Sequence, residues 1–113
     1  MLVNKKDHLA LYPAGIWAAE ESDLLKKSRF DPDARDLRLF YASGSVACPV
    51  DSQGRILVPG FLREHASLDS KVFVAGVYDH LEIWNPTRFA EQQTKTINGF
   101  DDILRSVDQA SES

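Results

Sequence analysis

Apolar and polar residues alternate at Val46, Cys48 and Val50 and again at Ile56 and Val58, the two-residue period of strands with one buried face. Those five side chains are predicted to point inward, with Asp51 to Gly54 turning the chain between them and Pro59-Gly60 ending the second arm. Asp31-Pro32 signals a helix start, and Leu37, Phe40 and Tyr41 share one face until Ser43-Gly44, so a helix is expected over about residues 32 to 43. A short amphipathic helix over Phe61 to Ala66 leads to a strand at Lys71 to Ala75, a turn at Gly76 to Asp79 and a strand at Leu81 to Trp84. The unit is hairpin, helix, hairpin, helix. In an earlier helix opening at Pro13, Glu20, Glu21 and Asp23 form the exposed side, with Lys26 and Lys27 placed well for its C-terminal end. From Ile97 onward, four acids stand against one arginine, and the reading is a weak helix that frays into a disordered acidic tail over 97–113.

A repeat is visible within this pattern. Asp7-His8-Leu9-Ala10-Leu11-Tyr12 aligns with Asp79-His80-Leu81-Glu82-Ile83-Trp84 at an offset of 72 residues. Each segment reads as a short strand running into a helix with proline at its opening, Pro13 or Pro86, and an aromatic at a matched place, Trp17 or Phe89. Six residues can agree by chance, so duplication and coincidence both remain open on these residues alone.

Composition narrows the function. The 113 residues, 43% apolar and 10% aromatic, suit one compact core. Thirteen Lys+Arg against 17 Asp+Glu leave a net charge of −4, so no global field draws in nucleic acid or an anionic membrane, and such a partner must be met by a local patch. Cys48 is the single cysteine, which rules out an intrachain disulfide and suits a reducing cytosol. Lys5 and Lys6 ahead of an apolar run imitate a secretory signal, but Pro13 and Gly15 interrupt it, and no stretch reaches the length of a membrane span. His80 and Glu82 would share a strand face, yet no third ligand is spaced to complete a metal site. Arg35, Arg38 and Arg63 read as solvated or ion-paired charges, and Trp17, Phe40, Trp84 and Phe89 as core or subunit-contact aromatics. No nucleophile arrangement, phosphate loop or acid pair appears, so neither an enzyme nor a cofactor is expected.

The turn Asp51-Ser52-Gln53-Gly54-Arg55 raises a sharper question. Asp51 can hold loop amides and Gly54 can take a positive φ, but a hairpin closes without an arginine at position 55. One account is a surface ion pair with Asp51. The other is a guanidinium at the tip of a two-stranded ribbon, a shape that fits the major groove and can meet phosphate or guanine edges.

Asp51 through Pro59, then Leu62-Arg63-Glu64-His65-Ala66, then Gly76 through Trp84 together resemble the second half of an MraZ protein, and Asp33 to Gly44 resemble the segment before it. The resemblance implies an α+β fold, the AbrB/SpoVT swapped-hairpin barrel with flanking helices, made of two tandem copies. It implies a cytoplasmic, nucleoid-associated transcription regulator that assembles into homo-oligomeric rings. Its DNA partner would be double-stranded, with repeated sites upstream of the division and cell-wall gene cluster, and no small-molecule substrate is implied. DNA contacts are expected from Asp51, Ser52, Gln53, Gly54 and Arg55, the one D-x-K/Q-G-R turn in the sequence. Residues 1–30 would then be a remnant of the first repeat, 31–96 the second repeat with its preceding helix, and 97–113 the tail. The first copy of the turn would precede Met1, which leaves the first half of the barrel incomplete. A late start codon, a truncated relic and a short form that pairs with a second chain are the three explanations. An oligomerisation module without DNA binding, or an antitoxin-like relative, is the alternative function.

Overall fold

The computed structural model describes residues 1–26 and 30–112; Lys27, expected to complement the end of the first helix, lies outside them. Helix starts follow side-chain chemistry. Asp31 accepts a hydrogen bond from the Asp33 amide at 2.9 Å and Pro32 fills a position that needs no N–H, so α2 runs Pro32–Gly44. Asn85 does the same for α4 (Pro86–Asn98), accepting from the amides of Thr87 at 2.9 Å and Arg88 at 3.1 Å. Pro13 precedes α1 (Ala14–Leu25), Pro59 precedes the short α3 (Gly60–His65), and α5 spans Phe100–Glu112.

Four strands, β1 (Leu2–Asn4), β2 (Leu9–Leu11), β3 (Phe73–Val77) and β4 (His80–Trp84), form one antiparallel sheet in the order β1-β2-β4-β3. The fold is therefore α+β. At the centre, Leu9 faces Ile83, Ala10 faces Glu82 and Leu11 faces Leu81. Positions 72 apart thus exchange partners across an approximate two-fold axis through Ala10 and Glu82. Ring packing obeys the same relation: His8 stacks on Trp84 at 4.1 Å and His80 on Tyr12 at 4.5 Å, while Trp17 leans on Tyr12 at 5.4 Å and Phe89 on Trp84 at 5.8 Å.

Alternation along the strands divides the core between two faces. Leu2, Leu9 and Ile83 are buried beneath Leu62 and Ala66, with Val46, Cys48, Ile56 and Val58 packed at the margin. On the opposite face Val3, Ala10 and Tyr12 pack against Trp17 of α1, with Tyr41 beside them. Arg88 ties α4 to the rest by donating from Nη1 to the carbonyls of Asp7 at 3.1 Å and His65 at 3.3 Å.

A shared carboxylate joins the two central strands. Glu82 lies 3.2 Å from His80 Nε2 and 3.5 Å from His8 Nε2, and it accepts a hydrogen bond from Trp84 Nε1 at 3.0 Å. Each imidazole meets a second carboxylate through Nδ1, His8 at Asp7 (3.0 Å) and His80 at Asp79 (2.8 Å). Burial works against the charged form of both partners, lowering His80 and raising Glu82. For His80 the bonds to Asp79 and Glu82 and their charges outweigh burial and raise its pKa. For Glu82 the bonds from Trp84 and His80 and the charges of His8 and His80 outweigh it and lower its pKa.

Several expectations are corrected. The arms flanking Asp51 and Arg55 form no ladder; only Val46 enters a bridge, with Leu2. Proline is the reason. Continuing the Asp51–Arg55 register would put Pro49 opposite Leu57 and Ala47 opposite Pro59, and each rung then lacks an N–H donor. Leu57 O is met instead by Cys48 Sγ at 3.8 Å. Val50, expected inward, is 58% exposed. The third strand begins at Phe73 rather than Lys71, since its first partner, Trp84, is the last residue of β4, and at the other end His80 pairs with Val77 and shrinks the turn to Tyr78-Asp79, with Tyr78 at φ 56°. Within the weak, fraying helix expected from residue 97 onward, helix is found over Phe100–Glu112, where Phe100, Ile103, Leu104 and Val107 recur at helical spacing.

Two outcomes follow from this packing. Gly44 is buried, and a Cβ there would collide with the Asn4 side chain. Gly44→Ala is expected to cost about 1–3 kcal/mol, read as a lower midpoint in urea unfolding. The second outcome concerns pH. A raised His80 pKa gives stability that is complete below the ordinary value of 6.5 and lost as pH rises through the folded value. A lowered Glu82 pKa gives stability present above 4.5 and lost as pH falls through its folded value. The cluster's contribution should therefore peak between those pH values. His80→Gln should flatten the decline of thermal midpoint on the alkaline side, and an unchanged pH profile would show that the cluster does not hold the strands.

Candidate nucleic-acid interface

The Asp51–Arg55 turn is built from inside by one carboxylate. The Asp51 amide donates to Arg55 O at 2.9 Å and the Gly54 amide donates to Asp51 O at 3.0 Å, closing the loop at both levels. Gly54 sits at φ 76°, a conformation that opposes any side chain with a Cβ. Asp51 Oδ1 accepts from the amides of Gln53 at 2.9 Å and Arg55 at 2.8 Å, and Oδ2 accepts from Arg55 Nε at 3.0 Å. The hydrogen bond from the Arg55 amide, opposed by desolvation and joined by the bonds from the Gln53 amide and the guanidinium, holds the Asp51 carboxyl below the ordinary carboxylate range.

Both accounts of Arg55 meet in this geometry. The ion pair with Asp51 exists, and its contact is made through Nε rather than through the forked end of the guanidinium. The Arg55 side chain is 71% exposed. Pairing through Nε restricts the side chain's rotation without covering the two terminal nitrogens that would make a bidentate contact. Ser52 and Gln53 are exposed on the same turn. All five candidate residues are thus together, and none is buried.

Other candidates fall elsewhere. Arg35 and Arg63 are exposed on α2 and α3, and Arg38 on α2 is half-buried. His80 and Glu82 do share a strand face, as the sequence indicates, but with His8 as a third member contributed by β2. That member was legible only as a matching letter in the repeat; its contact needs the β2–β4 pairing. Among the described residues no group of three His, Cys, Asp or Glu side chains is placed to hold a metal ion, and no helix is long and apolar enough to cross a membrane. The signal-like stretch supplies β2 and α1, with Lys5 Nζ lying 5.3, 5.7 and 5.2 Å from the ring centres of Tyr12, Trp17 and Tyr41. Composition alone did not mark that lysine.

Residues 41–108 match a family model described as "MraZ protein, putative antitoxin-like". A protein named transcriptional regulator MraZ in Moorella thermoacetica is 41% identical over 99 residues, covering 88% of this chain and 69% of that protein. Its namesake in Solidesulfovibrio magneticus is 37% identical over 108 residues, 95% of this chain and 71% of that protein. In Lactiplantibacillus plantarum the figure is 32% over 96 residues, 85% and 68%. A family model matched over more than half of the chain, and relatives matched over most of it, lead to one conclusion: the chain belongs to the MraZ family.

Proposed function

We propose that the chain is a transcription regulator, not an enzyme, that grips double-stranded DNA through the Asp51–Arg55 turn. One observation carries the reading: a guanidinium fixed through Nε yet 71% exposed, on a turn whose shape the Asp51 carboxylate holds. Arg55 makes the principal phosphate or base-edge contact, Ser52 or Gln53 adds a polar one, and Asp51 with Gly54 shapes the loop. The printed names of the relatives, transcriptional regulators, support the same role.

A single turn on a chain of net charge −4 makes few phosphate contacts. Affinity therefore comes from repetition, with several turns held side by side in a homo-oligomer, a ring in the fullest form, on repeated sites. This reading includes two copies of an AbrB/SpoVT-type swapped-hairpin barrel, a cytoplasmic and nucleoid-associated location, and targets in the division and cell-wall gene cluster. The exchange of partners between positions 72 apart supports the two-copy part. The acidic charge and the half-exposed apolar face of α5 favour a second reading, an interaction module that keeps the fold without holding DNA.

Gel retardation of a multi-site DNA fragment separates the two. Arg55→Ala should weaken binding by about 1–3 kcal/mol per engaged turn while leaving oligomer mass unchanged, and wild-type affinity should fall steeply with added salt. Equal retardation by wild type and Arg55→Ala would remove the turn from the interface. Asp51→Ala should also weaken retardation, by releasing both loop and guanidinium although the arginine is retained; full retention would show that the orienting bond has no part in binding.

A further inference from the structure

The first turn of α4 reaches the end of α3 through side-chain donors. Arg88 Nη1 donates to the carbonyl of His65 at 3.3 Å and to that of Asp7 at 3.1 Å, and Asn85 Nδ2 donates to the carbonyl of Ser67 at 2.9 Å. His65 is the last residue of α3, so its carbonyl has no partner within the helix. A guanidinium there satisfies that oxygen and complements the negative end of the helix dipole. Ser67 follows at φ 53°, where glycine is the usual residue, and the Asn85 amide holds the carbonyl of that disfavoured conformation. His65 Nε2 donates in turn to the carbonyl of Lys5. The β1–β2 turn, α3 and α4 are thus tied together at one place, each time by a side-chain donor on a main-chain carbonyl.

The Asp51–Arg55 turn hangs on this helix. Arg55 is followed by Ile56-Leu57-Val58-Pro59 and then directly by α3. That exit arm has no ladder, so its course is set by the packing of Ile56 and Val58 and by the seat of α3. Leu62 and Ala66 bury the underside of α3 in the core. Burial is non-directional, whereas the bonds from Arg88 and Asn85 fix the C-terminal end of the helix in position and direction.

We infer that Arg88 and Asn85 are positioning residues for the DNA contact: they hold α3, and through it the Asp51–Arg55 turn, without touching the nucleic acid. This rests on the DNA reading of that turn. The rival role for Arg88 is a direct phosphate contact, since it lines a polar groove of about 390 Å³ with Gln92 and Lys95. Asp7 and Glu91 line the same groove, and their carboxylates oppose a phosphate there. Arg88 directs its bonds to carbonyl oxygens instead, which orients the elements it joins.

Asn85→Asp isolates one tie: a carboxylate still accepts from the amides of Thr87 and Arg88, so the cap of α4 survives while the donor to Ser67 is lost. Arg88→Ala removes the other, and Arg88→Lys keeps the charge but replaces the planar fork with a single ammonium; Asn85→Asp serves where Arg88→Ala does not fold. In the free full chain, hydrogen exchange at the Ala66 and Leu68 amides should quicken in Asn85→Asp and Arg88→Ala, while the Gly54 and Arg55 amides, bonded within the turn, stay unchanged. On a multi-site DNA fragment each variant should bind about three- to tenfold more weakly per site, with Arg88→Lys between them and wild type. The slope of log affinity against log salt should match wild type in all three, whereas Arg55→Ala lowers it. Unchanged exchange at Ala66 and Leu68 would overturn the inference, as would undiminished DNA affinity with α3 loosened. A reduced salt slope in Arg88→Ala would overturn it too, by making Arg88 a phosphate contact. Failure of the DNA reading shows separately, as equal retardation by wild type and Arg55→Ala, and takes the positioning role with it.

Discussion

The pairing of β2 with β4 governs the rest of the structure, and the Glu82 carboxylate is its least replaceable part. Two histidines from different hairpins lie within 3.5 Å of it, and Trp84 donates to it at 3.0 Å. Its counterpart across the axis is Ala10, which is fully buried. A second carboxylate there would crowd like charges at the centre of the sheet, whereas alanine leaves room for one acid to serve both imidazoles. The departure from sequence symmetry at positions 10 and 82 is thus what allows the symmetric packing around them.

This centre sets the positions of the peripheral parts. His8 stacked on Trp84, and His80 on Tyr12, fix where each strand hands over to its helix, so Trp17 and Phe89 arrive at matched places. The opposite face, under Leu62 and Ala66, depends on Leu9 and Ile83 being level, and only the register Leu9 to Ile83 provides that. Val46 joins Leu2 at the outer edge of the sheet, and the Asp51–Arg55 turn lies a few residues beyond on the same segment. The arginine's position is therefore coupled to the sheet through that bridge and through Cys48, Ile56 and Val58 packed on the core, while its orientation comes from Asp51.

Much of this was legible in the sequence where the signal is local. Asp31-Pro32 marked α2 because an Asx cap and an N-terminal proline act within a single turn. Asp51 and Gly54 marked the loop because amide capture and a positive φ need those residue types. Alternation told Cys48, Ile56 and Val58 from Leu57, which is 85% exposed. What failed was non-local or was masked by the pattern itself. Pro49 and Pro59 stood in plain view, yet an alternating pattern reports which side chains face inward and says nothing about which amides are available to a ladder. The tighter β3–β4 turn depended on Tyr78 accepting a left-handed backbone, which its residue type disfavours. His8, His80 and Glu82 were seen as letters of a repeat and tested against metal spacing, because their actual relation exists only after two strands 72 residues apart have been paired.

A turn held in this way suits a contact whose strength is collected over many copies. Asp51 lies at the surface, 43% exposed at its side chain, so its pairing with Arg55 is worth little as stability. What it supplies is a smaller entropy loss when the guanidinium meets a partner, since part of the side chain's freedom has already been given up in the free protein. The same bond places a negative charge next to the arginine and lowers its attraction for phosphate at long range. A lone chain would gain little from that compromise, with weak steering and one contact. For turns displayed in a row the balance changes: rigid orientation is multiplied with each copy, while screening confines the unfavourable charge to its own neighbourhood.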